Sequence, residues 1–385
     1  MFPRERIAVS ILFFVNGYLL GNWAPKIPEF LTRLSISESD FGLLLLLLGA
    51  GALTAMPVTG WLIARHGSNS IVKLTSIAAV PAIFIVTLPG NIFMAGIVLY
   101  TLGALIAAMD VAMNANAVSV ERAKGQAIMS SCHGFWSLGG LIGAATGGWL
   151  IDVFGLYGHA IFVTVLAMIG VFGCLGSLIE DKISAEEKSA QKIRLPGNLL
   201  PYVLGAMALF SMVPEGAVLD WGALFLRQEL DASLELSGFG YAAFSGAMAI
   251  MRFAGDPIRQ KYGAVSTMRV CSLLAITGLL IAGTASDALV ATAGFALAGV
   301  GISNLVPILF SAGGNLPGLA PGIGISIVTF MGYSGILFAP SLIGFIAEHT
   351  GLGPVFAFLP VPLCVVFLLS HLARHADQKG SQDDG

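Results

Sequence analysis

Asp110, Asn114 and His133 are polar side chains set in stretches that are otherwise apolar, and their spacing points to proton chemistry. Residues four apart stack on one helix face, so Asn114 falls one turn below Asp110. Counted at 1.5 Å per residue from the run ends at Val118 and Ala127, Asp110 lies about 12 Å and His133 about 9 Å inside, on consecutive helices. A carboxyl and an imidazole at such depth are the makings of a proton relay, and these residues are the expected proton-coupling group together with Glu215. The alternative is structural: Asp110 and Asn114 satisfy each other and nearby backbone, and His133 is a hydrogen-bonded packing residue.

A second set has the chemistry of solute binding. Glu215 stands opposite Asn16 in an internal repeat, and Trp136, Asn304 and Tyr333 fall near the middle of their apolar runs. Rings that stack on a small organic solute, beside amides that fix its hydroxyls, suit a binding pocket, although each ring can also serve packing alone. Asn16, Asn114, Trp136, Glu215, Asn304 and Tyr333, with Trp23 and Trp221 nearer the outer surface, are the expected solute ligands. A third set, Arg65, Glu121, Arg252 and Asp256, falls at helix ends. There Arg252 can pair with Asp256 four residues on and Arg65 can reach Glu121, as a gate latch or as structural ties.

Positioning these groups requires a membrane. The chain has 385 residues, 56% hydrophobic and 11% charged, with a mean hydropathy of +0.86, whereas soluble domains carry roughly 25% charged residues. At about 20 residues per crossing there is room for about twelve spans. Apolar runs between breaks place them near 5–31, 41–64, 70–88, 91–118, 127–151, 159–179, 198–226, 237–255, 264–284, 288–312, 321–347 and 353–373. Of 19 Lys and Arg, all but Lys26, Arg33 and Arg227 then fall on one side, which the Lys/Arg bias of short loops identifies as cytoplasmic, with both termini there. No small-residue cleavage site follows the first run, which disfavours a secretory signal. Cys132, Cys174, Cys271 and Cys364 lie far apart in apolar stretches and are expected as buried thiols, with no metal-type spacing.

The halves repeat. Asn22-Trp23 matches Asp220-Trp221, Phe41-Gly42 matches Phe239-Gly240, and Arg65-His66-Gly67 matches Lys261-Tyr262-Gly263. Gly139, Gly148 and Asp152 fall opposite Gly335, Gly344 and Glu348. Two related six-span bundles that rock about a midplane site are the sequence signature of a secondary transporter. The expected fold is therefore all-α and polytopic, with twelve transmembrane helices in two pseudo-symmetric six-helix bundles. Residues 1–179 form the first bundle, 180–197 a cytoplasmic linker, 198–373 the second bundle and 374–385 a cytoplasmic tail.

The run Gly60-Trp61-Leu62-Ile63-Ala64-Arg65-His66-Gly67 resembles the signature between the second and third helices of the major facilitator superfamily, with Ala64 in place of its Asp and Ser68-Asn69 in place of its basic pair. Val118-Ser119-Val120-Glu121-Arg122, Cys132-His133-Gly134-Phe135-Trp136-Ser137-Leu138-Gly139, Glu215-Gly216 and Gly332-Tyr333 resemble its YbjJ-type, fucose-permease-like bacterial branch. That resemblance implies a cavity lined by the first, fourth, seventh and tenth helices, a sugar- or polyol-like solute and alternating access. Export of a drug-like compound is the other transport reading, and a non-transporting receptor the reading of another class.

Enzymatic chemistry finds little footing. Gly332-Tyr333-Ser334-Gly335 fits the GxSG pattern of rhomboid-type proteases, but such a serine needs a base within hydrogen-bond reach, and His349 lies about 21 Å along the same helix. No Walker-type loop occurs, which disfavours ATP-driven transport. The net charge of −3 and the absence of a basic patch disfavour nucleic-acid binding. The expected partners are a small-molecule substrate, protons and the lipid bilayer, for a monomer in the bacterial inner membrane, with no cofactor and no metal.

Overall fold

The computed structural model describes residues 4–36, 38–181 and 196–377. Among the described residues every regular element is helical: α1 (Arg4–Gly21), α2 (Ile27–Leu34), α3 (Glu38–His66), α4 (Ser68–Ala79), α5 (Ala82–Ile85), α6 (Ile92–Lys124) and α7 (Met129–Cys174). After the interval 182–195, where the central part of the expected linker lies outside the described residues, come α8 (Leu200–Gln228), α9 (Leu234–Tyr262), α10 (Ala264–Gly283), α11 (Ala288–Ile302) and α12 (Leu305–Gly314). The series ends with α13 (Pro321–Thr350), α14 (Leu352–Phe358) and α15 (Pro360–Leu368). Only helices let a chain satisfy its own backbone polar groups in lipid without closing a barrel.

Eight described helices are long and apolar enough to cross a bilayer, or nine if the bent pair Leu352–Leu368 and Ser370–Ala376 is one span. One of the eight, Met129–Ser177, has 49 residues, about 70 Å of helix against a hydrocarbon core of about 30 Å. It bends at Gly155, whose φ of 69° and ψ of 170° are not helical. It therefore has length for two crossings, as the separate runs 127–151 and 159–179 anticipate.

The chain divides into two compact units, Met1–Lys124, Cys132–Pro196 and Gly318–Ser326 in one, and Gly125–Ser131, Gly197–Pro317 and Ile327–Gly385 in the other. In the first, α6 packs along α3 and α4, and α1 meets α7 through glycines. A Cβ on Gly17 would stand 2.0 Å from the Trp136 carbonyl oxygen, and one on Gly139 2.1 Å from that of Phe14. Backbones this close are the benefit of small residues in membrane helices, where apolar lipid gives helices no hydrophobic reason to associate. In the second unit α11 packs between α9 and α10.

Each unit carries the same device at one helix start. Gly67 and Gly263 have φ of 82° and 79°, and each is followed directly by a helix whose first amides need acceptors. Asp181 supplies them in the first unit, accepting from Ser68 N at 2.8 Å and Asn69 N at 3.0 Å. In the second unit Asp377 accepts from Ala264 N at 2.9 Å through both carboxylate oxygens. Asp181, read from the sequence as the start of a solvated linker, is thus a helix cap. Cys132, Cys174 and Cys271 are buried as expected, whereas Cys364 is exposed on α15, because an apolar residue of a membrane helix can face lipid as readily as protein.

Candidate functional site

The first unit brings Asp110, Asn114 and His133 together. Asp110 and Asn114 lie in the middle of α6, where every residue from Ile106 to Val118 is buried, and His133 lies in the first turns of α7. The Asn114 side-chain amide donates to the Asp110 carbonyl at 2.9 Å and to its carboxylate Oδ1 at 3.3 Å. Because its nitrogen is engaged there, its oxygen faces His133, whose Nε2 lies 3.3 Å away and must carry the hydrogen for the contact to be favourable. The imidazole is further held edge-on to Phe13, ring centroids 5.2 Å apart. The Asn114 amide joins Asp110 to His133.

Asn16 and Trp136 also meet. The Trp136 indole N–H donates to Asn16 Oδ1 at 3.0 Å, and Asn16 Nδ2 donates to the Ile106 carbonyl at 3.2 Å. Asn16 is buried and Trp136 half-buried, so the ring presents part of its face while its polar edge is fixed. Trp23 is placed differently. It is 7% exposed and packs against Phe30 and Phe41, at centroid distances of 5.4 and 6.5 Å, which makes it part of an aromatic core beneath α2.

In the second unit Glu215 of α8 pairs with Arg252 of α9, Nη2 to Oε1 3.1 Å. Arg252 Nε also donates to the Ser303 carbonyl at 3.4 Å. That carbonyl lies in the interruption between α11 and α12, where Asn304 is buried and donates to Ser303 Oγ at 2.9 Å and to the Met251 carbonyl at 3.4 Å. A broken membrane helix leaves backbone polar groups that must find partners, and here Arg252 supplies one for the Ser303 carbonyl. Trp221 is half-buried against Gly344, and its indole N–H, itself buried, donates to no described group. Tyr333 is half-buried on α13.

Of the expected gate residues, Arg252 and Asp256 lie one turn apart on α9 in the second unit, and Arg65 on α3 and Glu121 on α6 lie in the first. Arg252 is not a charge at a helix end: it is buried, ten residues before the end of α9 at Tyr262, about 15 Å of helix. Asp256, one turn beyond, accepts from Ser130 N and Ser131 N at 2.9 Å each, within the second unit. The Arg65 guanidinium lies over the Trp61 ring at 4.7 Å, a cation–π contact that holds it on its own helix rather than on buried Glu121. The Glu215–Arg252 pair has a sequence signal in hindsight: two opposite charges in neighbouring spans, each too deep to be left alone.

Comparison with known proteins gives a consistent result. A family model described as Major Facilitator Superfamily matches residues 9–321. An uncharacterized MFS-type transporter of Yersinia pestis is 34% identical over 376 residues, covering 97% of this chain and 95% of that protein. Among solved structures, the transporter FucP in its outward conformation superposes with a TM-score of 0.81 at 14% identity, covering 97% of this chain and 99% of that one. The human organic anion transporter MFSD10 does so with a TM-score of 0.73 at 15% identity, covering 96% and 100%.

Proposed function

Since this chain belongs to the Major Facilitator Superfamily and has the fold of its membrane transporters, we propose that it carries a small polar organic solute, sugar- or polyol-like, across the bacterial inner membrane by proton-coupled alternating access. The observation that carries the coupling is the Asp110–Asn114–His133 chain. Asn114 donates to Asp110 Oδ1 and its oxygen takes the His133 N–H, so a change of charge on the imidazole is felt at the carboxyl through one polarised amide. Asp110 Oδ1 can accept the Asn114 hydrogen bond whether the carboxyl is ionised or protonated, so the scaffold need not rearrange when a proton binds. Opening to one side and then the other changes the hydration of the carboxyl, which links proton binding to the conformational cycle. The fold shared with the E. coli fucose:proton symporter FucP is consistent with this class of mechanism.

Asn16 and Trp136 support the solute side of the reading, as a fixed amide beside a partly open ring. The protein acts in this reading as a monomer with both termini in the cytoplasm. Its test is Asp110→Asn in proteoliposomes, assayed for gradient-driven uptake and for solute exchange without a gradient. Driven uptake falls by at least tenfold while exchange persists; driven uptake at the wild-type rate would refute proton coupling at Asp110.

A further inference from the structure

The Glu215–Arg252 pair sits where a neutral solute would not require a charge. Glu215 has a side-chain exposure of 17% against 5% for Arg252, so the carboxylate stands on the open side with the guanidinium behind it. One carboxylate oxygen meets Arg252; the other accepts from no described group. On the far side the guanidinium is fixed by the Ser303 carbonyl in the interrupted α11–α12 segment. Discontinuous helices of this type commonly surround transporter solute sites.

A static tie between α8 and α9 is the competing explanation, and the repeat argues against it. At the 196-residue offset that relates Arg65 to Lys261, Arg252 stands opposite Met56 and Glu215 opposite Leu19, both apolar and 1% exposed. The first unit therefore builds the corresponding helices without an ion pair. Replacing a buried ion pair by apolar groups is often neutral or stabilising, so packing alone does not account for retaining one here.

We infer that Arg252 is an acid-recognition group and that the solute bears a carboxylate, which takes the place of Glu215 on the guanidinium. Glu215 acts as the internal stand-in that occupies this position on Arg252 while the site is empty. The planar guanidinium suits a carboxylate better than it suits a hydroxyl, because its parallel N–H donors match two oxygens and both partners are charged. The solute class becomes a small hydroxylated organic acid rather than a neutral polyol. This rests on the reading of the chain as a solute transporter.

The test uses acetate as a probe on the purified full-length protein, with thermal unfolding as readout. In Glu215→Gln the guanidinium loses the Glu215 carboxylate, and sodium acetate is expected to produce a saturable rise in Tm that sodium chloride at equal ionic strength does not. The wild type should respond much less, since its own carboxylate holds the position, and the double variant Glu215→Gln/Arg252→Gln should not respond. Glu215→Ala, which leaves more room, provides the same measurement if the glutamine variant does not fold. Equal shifts with acetate and chloride, no shift in either single variant, or failure of both to fold with acetate present throughout purification would overturn the inference. A carrier of neutral solutes would fail this test yet keep Asp110-dependent driven uptake, so the two readings fail separately.

Discussion

Lys26 shows how far a single residue can depart from its sequence context. At the outer end of the first span it reads as one of three positive charges left on that side, yet it is 1% exposed and its ammonium lies 2.9 Å from His159 Nδ1. An ammonium has only hydrogens to give, so Nδ1 accepts and Nε2 carries the proton, which it directs to Asn22 Oδ1 at 2.9 Å. Asn22 Nδ2 then donates to the Tyr18 carbonyl at 2.8 Å. Every donor in this chain points the same way, and His159 is the joint, 133 residues distant from Lys26. His159→Phe keeps the ring but removes both contacts, and leaving a buried ammonium without its acceptor costs about 2–3 kcal/mol. Adding Lys26→Met to that variant should recover part of the loss, as residues in one network couple non-additively. Chemical unfolding of the two variants checks this; a double variant less stable than His159→Phe alone would show that the lysine does not depend on the histidine.

At the scale of elements, the sequence discloses what is local and conceals what is distant. Apolar runs mark the helices, and the glycines of the 127–151 run announce a close helix contact, which is made with α1 at Gly17 and Gly139. Gly17→Ala would place a methyl 2.0 Å from the Trp136 carbonyl, so α1 must move away from α7 and the Trp136–Asn16 hydrogen bond stretches or breaks. Intrinsic tryptophan fluorescence, red-shifted if the ring gains water, measures that outcome; an unchanged spectrum and Tm would show that the helices have slack. The caps were not legible, because Asp181 meets Ser68 across 113 positions and Asp377 meets Ala264 across the same number. Only the repeat could have shown them, since 181 and 377 differ by the 196 that separates Gly67 from Gly263. Asp181→Ala should cost about 1–2 kcal/mol and Asp377→Ala about 1 kcal/mol by loss of a helix cap. The first is larger because Asp181 holds two amides, Ser68 and Asn69, whereas Asp377 holds only that of Ala264. Equal Tm losses would contradict that ranking.

For the whole molecule, family and helical class were legible because a membrane imposes them on composition, whereas the pairing of charges inside a bundle was not. Arg252 counted as a cytoplasmic helix-end charge by position in the chain, and only the third dimension gives it Glu215. The expected orientation rests on the remaining Lys and Arg. With Arg252 set aside as a buried residue, the asymmetry is still carried by many charges against Lys26, Arg33 and Arg227, and Lys26 is itself buried, which weakens the outer count further. Since loop charges near helix ends set topology, the segment 180–194 and the end of α8 at Arg227 and Gln228 should lie on opposite sides of the membrane. The experiment needs a background without reactive thiols, and Cys364 is the exposed one to replace, since Cys132, Cys174 and Cys271 are buried. Single cysteines at Ser189 and Gln228 are then exposed to a membrane-impermeant maleimide applied from outside intact cells. Gln228→Cys should label in intact cells and Ser189→Cys only after the cells are broken. Labelling of both from the same side would require an even number of crossings between them, contrary to a single span through α8, and would remove the cytoplasmic placement of the termini with it.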